Sequence, residues 1–298
     1  MTTGVDVEGS VAQLAPETAE RLQSIVMTTR DLPAMSQVAA KVIELASDPG
    51  TSAGQLQQVI ADDQAMTGRI LKIANSAMYS CSRRIRTLSE AIVMLGFNSI
   101  RSLVVTSAAR NLYNTRKSRT GPKERLLWEH SIGCAIASRL LVAERIPSLA
   151  EEAFLAGLMH DIGKLVLNLR VPERFDEIVQ VVYNEGRPFH ETEAELLGFD
   201  HTHVGALLVN KWKLSPLLEE AILNHHSPEA LTADNPLPLF LDLGNKMCKK
   251  MGIGFIDEPE LDILGCPANQ ILGLPRSAFE QAAAVLQETL ENEMEIYI

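Results

Sequence analysis

Cysteine is scarce in this chain of 298 residues, and the four present do not cluster: Cys81, Cys134, Cys248 and Cys266 form no CxxC pair. That spacing argues against a zinc ribbon and a disulfide framework. It reads each cysteine as a small apolar core residue in a reducing compartment. Positive charge is also in deficit, with 27 Lys+Arg against 38 Asp+Glu and a formal net charge of −11. A field of that sign repels phosphate backbones, so non-specific nucleic-acid binding is not the default. The opening MTTGVDVEGSVAQLAPETAERLQ lacks the basic-then-apolar order of a secretory signal. No apolar run reads as long enough, without interruption by charge, to span a bilayer. These absences predict a cytoplasmic protein with no membrane segment. Period-two alternation is almost missing as well, which leaves helices.

Helical periodicity is what remains. MSQVAAKVIELASD puts Val38, Val42, Ile43 and Leu45 on one stripe, with Lys41 and Glu44 outside it. TSAGQLQQVIADD opens on Thr51 or Ser52 as an N-cap and turns Leu56, Val59 and Ile60 inward. AMTGRILKIANSAMY carries Met66, Ile70 and Ile73 in the same way. TLSEAIVMLGFNSIRSLVVTSAARNLY reads as two helices, the first opening at Thr87 or Ser89 and ending at Gly96, the second opening at Asn98 or Ser99. The polar, basic NTRKSRTGPKER marks a boundary. Beyond it helices are expected over about 124–145, 150–160, 162–168, 173–185, 190–196, 200–212, 215–226 and 236–251, with a last one near 275–292. The fold class is all-α. The expected organisation is an N-terminal tail or helix (1–24), a helical subdomain (25–115), a second subdomain (124–255) and a C-terminal extension (256–298).

Histidine is absent from the first 129 residues; all seven, at 130, 160, 190, 201, 203, 225 and 226, follow. FLAGLMHDIGKLVLNL sets His160 and Asp161 inside an apolar run, where an ionisable pair is costly unless something pairs with it. Gly163 is expected to break the chain just after them. His130 lies on a helix whose Ile132, Ile136 and Leu140 face a core; His201 opens DHTHVGALLVNKW; His225 and His226 close PLLEEAILNHH. Imidazoles and a carboxylate drawn from four helix ends are the donors of a Zn, Mn or Fe site, whereas a pure carboxylate cage suits Ca or Mg. An adjacent His-Asp lets the aspartate bridge two ions while the histidine fixes one. His190, in GRPFHETE, and His203, two residues from His201, read as ordinary polar residues outside that set.

The series His130, His160-Asp161, His201, His225-His226 resembles the HD superfamily of metal-dependent phosphohydrolases. The stretch from about Leu32 to Met251 is similar to the HDOD domain, the HD-related output domain. The first half carries the resemblance in LPAMSQVAAKVIELASDPGTS, VIADDQAMTGRILKIANSAMYS and TLSEAIVMLGFNSIRSLVV, the second in AGLMHDIGKLVL, ELLGFDHTHVGALLVNKWKL and AILNHHSP. It implies two helical subdomains, the second an HD-like bundle. It further implies His130, His160, Asp161, His201, His225 and His226 as ligands of two divalent ions, Fe or Mn with Zn as the alternative. Lys164 would approach a substrate phosphate, making Lys164 and Asp161 the catalytic pair if the chain is an enzyme. HD enzymes close the site with an aspartate on a later helix; LFLDLGNKMCKKMGIG offers Asn245 there, with Asp242 one turn earlier as its rival. HHSPEALTADNP lacks the GYP-type motif of cyclic-dinucleotide phosphodiesterases.

Two functions follow from the resemblance. One is a bacterial-type signalling or regulatory output module with a retained dinuclear metal site, binding a signalling partner protein or a small phosphorylated ligand. The alternative is a metal-dependent phosphohydrolase or phosphodiesterase acting on a nucleotide or cyclic nucleotide. The basic runs at Arg83, Arg84 and Arg86, and at Arg116, Lys117, Arg119, Lys123 and Arg125, are read as solvated loops.

Overall fold

The computed structural model describes residues 7–27, 35–79, 83–113, 122–227 and 235–293. Among the described residues every regular element is helical and there is no strand. Two short helices, α1 (Val7–Ala12) and α2 (Pro16–Met27), precede a bundle of α3 (Gln37–Ser47), α4 (Ala53–Ala61), α5 (Gln64–Ala74) and α6 (Leu88–Tyr113). Side chains set the starts of these helices. Ser36 accepts from the Ala39 amide, Asp63 from the Met66 amide, and Ser52, not Thr51, forms a reciprocal capping box with Gln55. Thr87 accepts from the Glu90 amide while Glu90 reaches back to the amides of Arg86 and Thr87, so Thr87 opens α6. Gly96 breaks α6 with φ 80° and ψ 169°, a left-handed φ that glycine adopts without a Cβ clash. The expected pair of helices is there. Ser99 points its hydroxyl at Glu151 instead of capping the second.

The second half comprises α7 (Pro122–Ala143), α8 (Ala150–Met159), α9 (Ile162–Arg170), α10 (Pro172–Glu185), α11 (Phe189–Leu197), α12 (His201–Lys211), α13 (Pro216–Leu223) and α14 (Leu237–Lys250). Two more helices follow, α15 (Pro267–Leu272) and α16 (Arg276–Glu288). Helix α7 lies at the centre, packed on α8 and α14, while α12 packs on α9 and α13. The chain ends return to this half: α1 and α2 lie on α12, and α16 lies on α7. One apolar core runs through both halves, with Phe154, Phe175, Phe199 and Phe240 fully buried.

Contrary to the reading from charge interruption, Leu88–Tyr113 and Lys123–Ala143 are each long and apolar enough to cross a membrane. Their apolar windows are 61% and 72% buried against other helices, which is how core helices of a folded domain look. Arg83, Arg84 and Arg86 are exposed, and Lys123 and Arg125 pair on the surface with Asp176 and Glu129. Arg116, Lys117, Arg119 and Cys81 lie outside the described residues. Cys134, Cys248 and Cys266 are buried free thiols.

Candidate metal centre

Four helix ends converge in the second half. Helix α8 ends at Met159, so His160 and Asp161 lie in the step between α8 and α9. His201 is the first residue of α12, and His225 and His226 follow the end of α13. His130 comes from within α7. Gly163 does not break the chain as expected; it lies in the first turn of α9, where a Cβ would stand 2.0 Å from the carbonyl oxygen of His201. Glycine there lets α9 and α12 touch through their backbones, which brings Asp161 to His201. Gly157 serves α8 in the same way, since a Cβ would meet the Cys134 carbonyl oxygen of α7 at 2.4 Å.

The imidazoles are oriented from behind. Nδ1 of His160 meets the Gly157 carbonyl at 2.7 Å, Nδ1 of His225 the Ile222 carbonyl at 2.7 Å, and Nδ1 of His130 the Ile253 carbonyl at 2.9 Å. A carbonyl only accepts, so each Nδ1 donates, and in the neutral rings of His160 and His225 Nε2 is left as a lone pair. His201 is held by a carboxylate: Glu193, fully buried, lies 2.5 Å from its Nδ1 and accepts its backbone amide at 2.8 Å. Asp200 caps α12 and also takes His203 Nδ1 at 2.9 Å, which turns His203 to the cap and away from the centre.

The Nε2 atoms of His201 and His225 then face each other with no proton between them. His201 Nε2 stands 3.3 Å from His225 Nε2 and 3.2 Å from His226 Nε2. His160 Nε2 is fully buried and has no hydrogen-bond partner. Asp161 sits between two groups of donors. Its Oδ1 faces His201 Nε2 at 3.3 Å and His225 Nε2 at 3.9 Å; its Oδ2 faces His160 Nε2 at 3.5 Å and His130 Nε2 at 3.8 Å. Ligands of a tetrahedral divalent ion with bonds near 2.0–2.1 Å are about 3.3–3.4 Å apart along each edge. The observed separations are close to those edges, so the residues fit a metal. Asp161, His201, His225 and His226 form one donor set; His130, Cys134 and His160 form another, whose two histidines face Oδ2 of Asp161.

Around this cluster is a small cavity of ≈ 200 Å³ whose wall includes Lys164, Phe189, His190, Asn245, Lys249 and Phe255. The Lys164 ammonium is 2.8 Å from the Asp161 carboxylate and 4.7 Å from the centre of the Phe189 ring. Asn245 is buried in the wall, and its Oδ1 has no hydrogen-bond partner. Asp242 is absent from the lining and pairs with Lys246. His190 lies outside both donor sets, yet it is part of the cavity: its ring stacks on His226 at 4.2 Å between centroids. Glu193 was not legible as a site residue, since an acidic residue eight positions before a histidine carries no signal. Cys134 exceeds its reading as core filler, because its Sγ lies 3.5 Å from His130 Nε2.

Burial disfavours the charged form of these rings. It lowers the His160 pKa to about 4 against the pull of Asp161, and it holds His225 and His226 well below the usual imidazole range. His130 goes the other way: burial opposes its charge, but the Cys134 sulfur and the Asp161 carboxylate outweigh it and push the pKa up to about 9. Groups with a depressed pKa bind protons more readily when unfolded, so the metal-free protein is expected to lose stability as pH falls from about 6.5 toward 4. His160 alone contributes about 3 kcal/mol to that loss. The His130 contribution is complete below about 6.5 and disappears as pH rises toward 9. Thermal melts in chelator should therefore peak near neutrality, and a flat profile between about pH 7 and about pH 5 would contradict neutral, buried rings at His160, His225 and His226. Glu193→Gln keeps the shape but removes the charge behind His201. Metal affinity is expected to weaken roughly 10–100-fold, measured by competition with a chelating dye; unchanged affinity would show that Glu193 does not support a ligand.

An all-helical fold in which a His-Asp step and four further histidines share one centre defines a protein of the HD type. The HDOD domain family matches residues 32–228, and the chain belongs to that family. It is similar to the crystal structure of an HDOD domain protein of unknown function from Geobacter sulfurreducens, with 26% identity, a TM-score of 0.74, and coverage of 98% of this chain and 97% of that one. A Shewanella amazonensis protein provisionally named a phosphohydrolase is 25% identical with a TM-score of 0.71, covering 93% of this chain and 96% of its own. An uncharacterized protein of Treponema pallidum is 22% identical over 293 residues. This chain spans about half of that relative, 54% of its length.

Proposed function

We propose that the chain is a signalling output module of the bacterial cytoplasm whose HD-type half holds two divalent transition-metal ions, Fe or Mn with Zn as the alternative. The observation that carries the metal is the facing of His201 and His225, two nitrogens 3.3 Å apart whose protons are both committed to acceptors elsewhere. Two lone pairs at that distance repel unless a cation lies between them. His130, His160, Asp161, His201, His225 and His226 hold the ions, with Asn245 at the open edge. Bound there, such ions supply Lewis acidity and acidify a coordinated water.

The output role is supported by α8, which joins the centre to the N-terminal bundle. At one end α8 delivers His160 and Asp161. At the other, Glu151 takes Ser99 and Arg139 at 3.0 and 3.2 Å, and Glu152 takes Arg101 at 2.5 Å. Loading the centre rigidifies one end of this helix, and a partner protein on the N-terminal bundle reads the other. Hydrogen exchange on metal-loaded and chelated protein tests the relay: protection is expected to rise in residues 150–164 and in 99–106 of α6. A rise confined to the first segment would defeat the output reading while leaving the metal site intact.

One observation favours the second reading, a metal-dependent phosphohydrolase. Lys164, buried and directed at the cavity beside Asp161, is placed to bind a phosphate and offset charge that develops on it. The cavity is smaller than the ≈ 300–1,000 Å³ typical of drug-sized ligands, so it suits orthophosphate or a small phosphate ester better than a cyclic dinucleotide. Metal-loaded protein assayed against phosphomonoesters, nucleotides and cyclic dinucleotides decides: turnover abolished by Asp161→Ala makes the chain an enzyme, and no turnover at full metal loading leaves the module.

A further inference from the structure

We propose that Cys134 is a metal ligand, making the His130 side of the centre a nitrogen, nitrogen, oxygen and sulfur site for zinc. This rests on the two-ion reading above. Cys134 lies one helical turn beyond His130 on α7, so both side chains leave the same face. The close approach of Gly157 to the Cys134 carbonyl brings that turn of α7 against the end of α8, next to His160. As a result His130 Nε2, Cys134 Sγ and His160 Nε2 all lie within 4.8 Å of one another. An independent observation points to a ligand there: His160 Nε2, fully buried, has its Nδ1 bound to Gly157 and nothing bound at Nε2.

The spacing has the dimensions of a zinc site. With Zn–N near 2.05 Å and Zn–S near 2.3 Å, a tetrahedral N···S edge is about 3.6 Å. Cys134 Sγ is 3.5 Å from His130 Nε2. Asp161 Oδ2, at 3.5 Å from His160 and 3.8 Å from His130, supplies the fourth donor. On binding, the thiol proton leaves to the buffer and the thiolate becomes the ligand. Sulfur selects zinc or cobalt over manganese and magnesium, which prefer oxygen. The His201 side has three nitrogens and one oxygen and carries no such bias. The two halves therefore differ in chemistry, with zinc on one side and iron or manganese admissible on the other. Cys248 packs with Cys134 and Ile253 in one small buried cluster.

Cobalt(II) titration of the full-length protein under anaerobic, reducing conditions tests the assignment. A thiolate-to-cobalt charge-transfer band is expected for one of two bound equivalents, lost in Cys134→Ser and kept in Cys248→Ser. Two equivalents without the band would overturn the Cys134 assignment and leave the two-ion reading standing. No cobalt bound at all would remove the two-ion reading, and the Cys134 assignment with it. A band that survives in Cys134→Ser, or vanishes in Cys248→Ser, also overturns the proposal. Should Cys134→Ser fail to fold, X-ray absorption at the zinc edge decides on wild type and Cys248→Ser. One sulfur at about 2.3 Å in both supports the proposal, and its absence from either overturns it. In a folded Cys134→Ser, zinc affinity is expected to fall by more than the roughly 10–100-fold that loss of an outer partner costs, with the His201-side ion unchanged.

Discussion

Replacing Asp161 with Ala is expected to empty both halves of the centre at once, whereas His130→Ala and His226→Ala each release one ion. The difference follows from geometry. His130 Nε2 faces only Oδ2 of Asp161 among its oxygens, and His226 approaches only the His201 side, while Asp161 places one oxygen in each donor set. The same change should destabilise the metal-free protein. Lys164 is buried with its ammonium 2.8 Å from that carboxylate, so Asp161→Ala strands a buried positive charge. Breaking a buried pair from one side costs about 3–5 kcal/mol, enough to threaten folding in a domain of ordinary stability. Asp161→Asn keeps a polar neighbour for Lys164 and is the safer variant for counting metal. Elemental analysis gives ions per chain, and thermal melts in chelator give the stability. An Asp161→Asn protein that keeps one full equivalent, with wild-type affinity, would show that the aspartate does not bridge.

The sequence made much of this centre legible because its ligands sit at helix ends, where a run of apolar residues is interrupted by a polar pair. His160-Asp161 and His225-His226 interrupt such runs, and the helices flanking them fall close to where periodicity put them. Periodicity could not say which helices touch. The packing of α1 and α2 on α12, or of α16 on α7, depends on surface shape that a stripe of leucines and valines does not encode. Gly163 illustrates a different loss. Read locally, glycine after a turn is a breaker; in three dimensions it is the residue that lets two helix backbones meet. Glu193 and Cys134 were missed for the same reason, since each becomes meaningful only through a neighbour at the other end of a tertiary contact. The two long apolar helices show the reverse problem: composition read without packing cannot tell a core helix from a spanning one.

Asn245→Asp is expected to strengthen metal binding and weaken the metal-free fold, two effects of opposite sign from one atom. Asn245 is on α14, buried in the wall of the cavity that Asp161 and His226 also line, with its Oδ1 unpartnered. Its rival Asp242, a turn earlier, is spent on Lys246 and does not reach the wall. A carboxylate at 245 would neutralise part of a divalent charge that an amide only solvates, tightening metal binding by on the order of tenfold. Without metal, the same carboxylate is a charge in a buried wall. Lys164 is already engaged by Asp161, which leaves Lys249 on the lining to offset it, so the chelated variant should melt below wild type. The gap in Tm between loaded and chelated protein therefore widens from both sides. Asp242→Ala serves as the control: it removes a largely buried helical pair, and metal content is expected to stay at the wild-type level. If Asp242→Ala instead released metal while Asn245→Asp changed neither affinity nor the Tm gap, α14 would be turned the other way in the loaded protein. The centre would then be closed by a full charge. Paired with Lys164, a fully charged centre is the arrangement that hydrolysis of a phosphate ester requires, and the phosphohydrolase reading would take precedence.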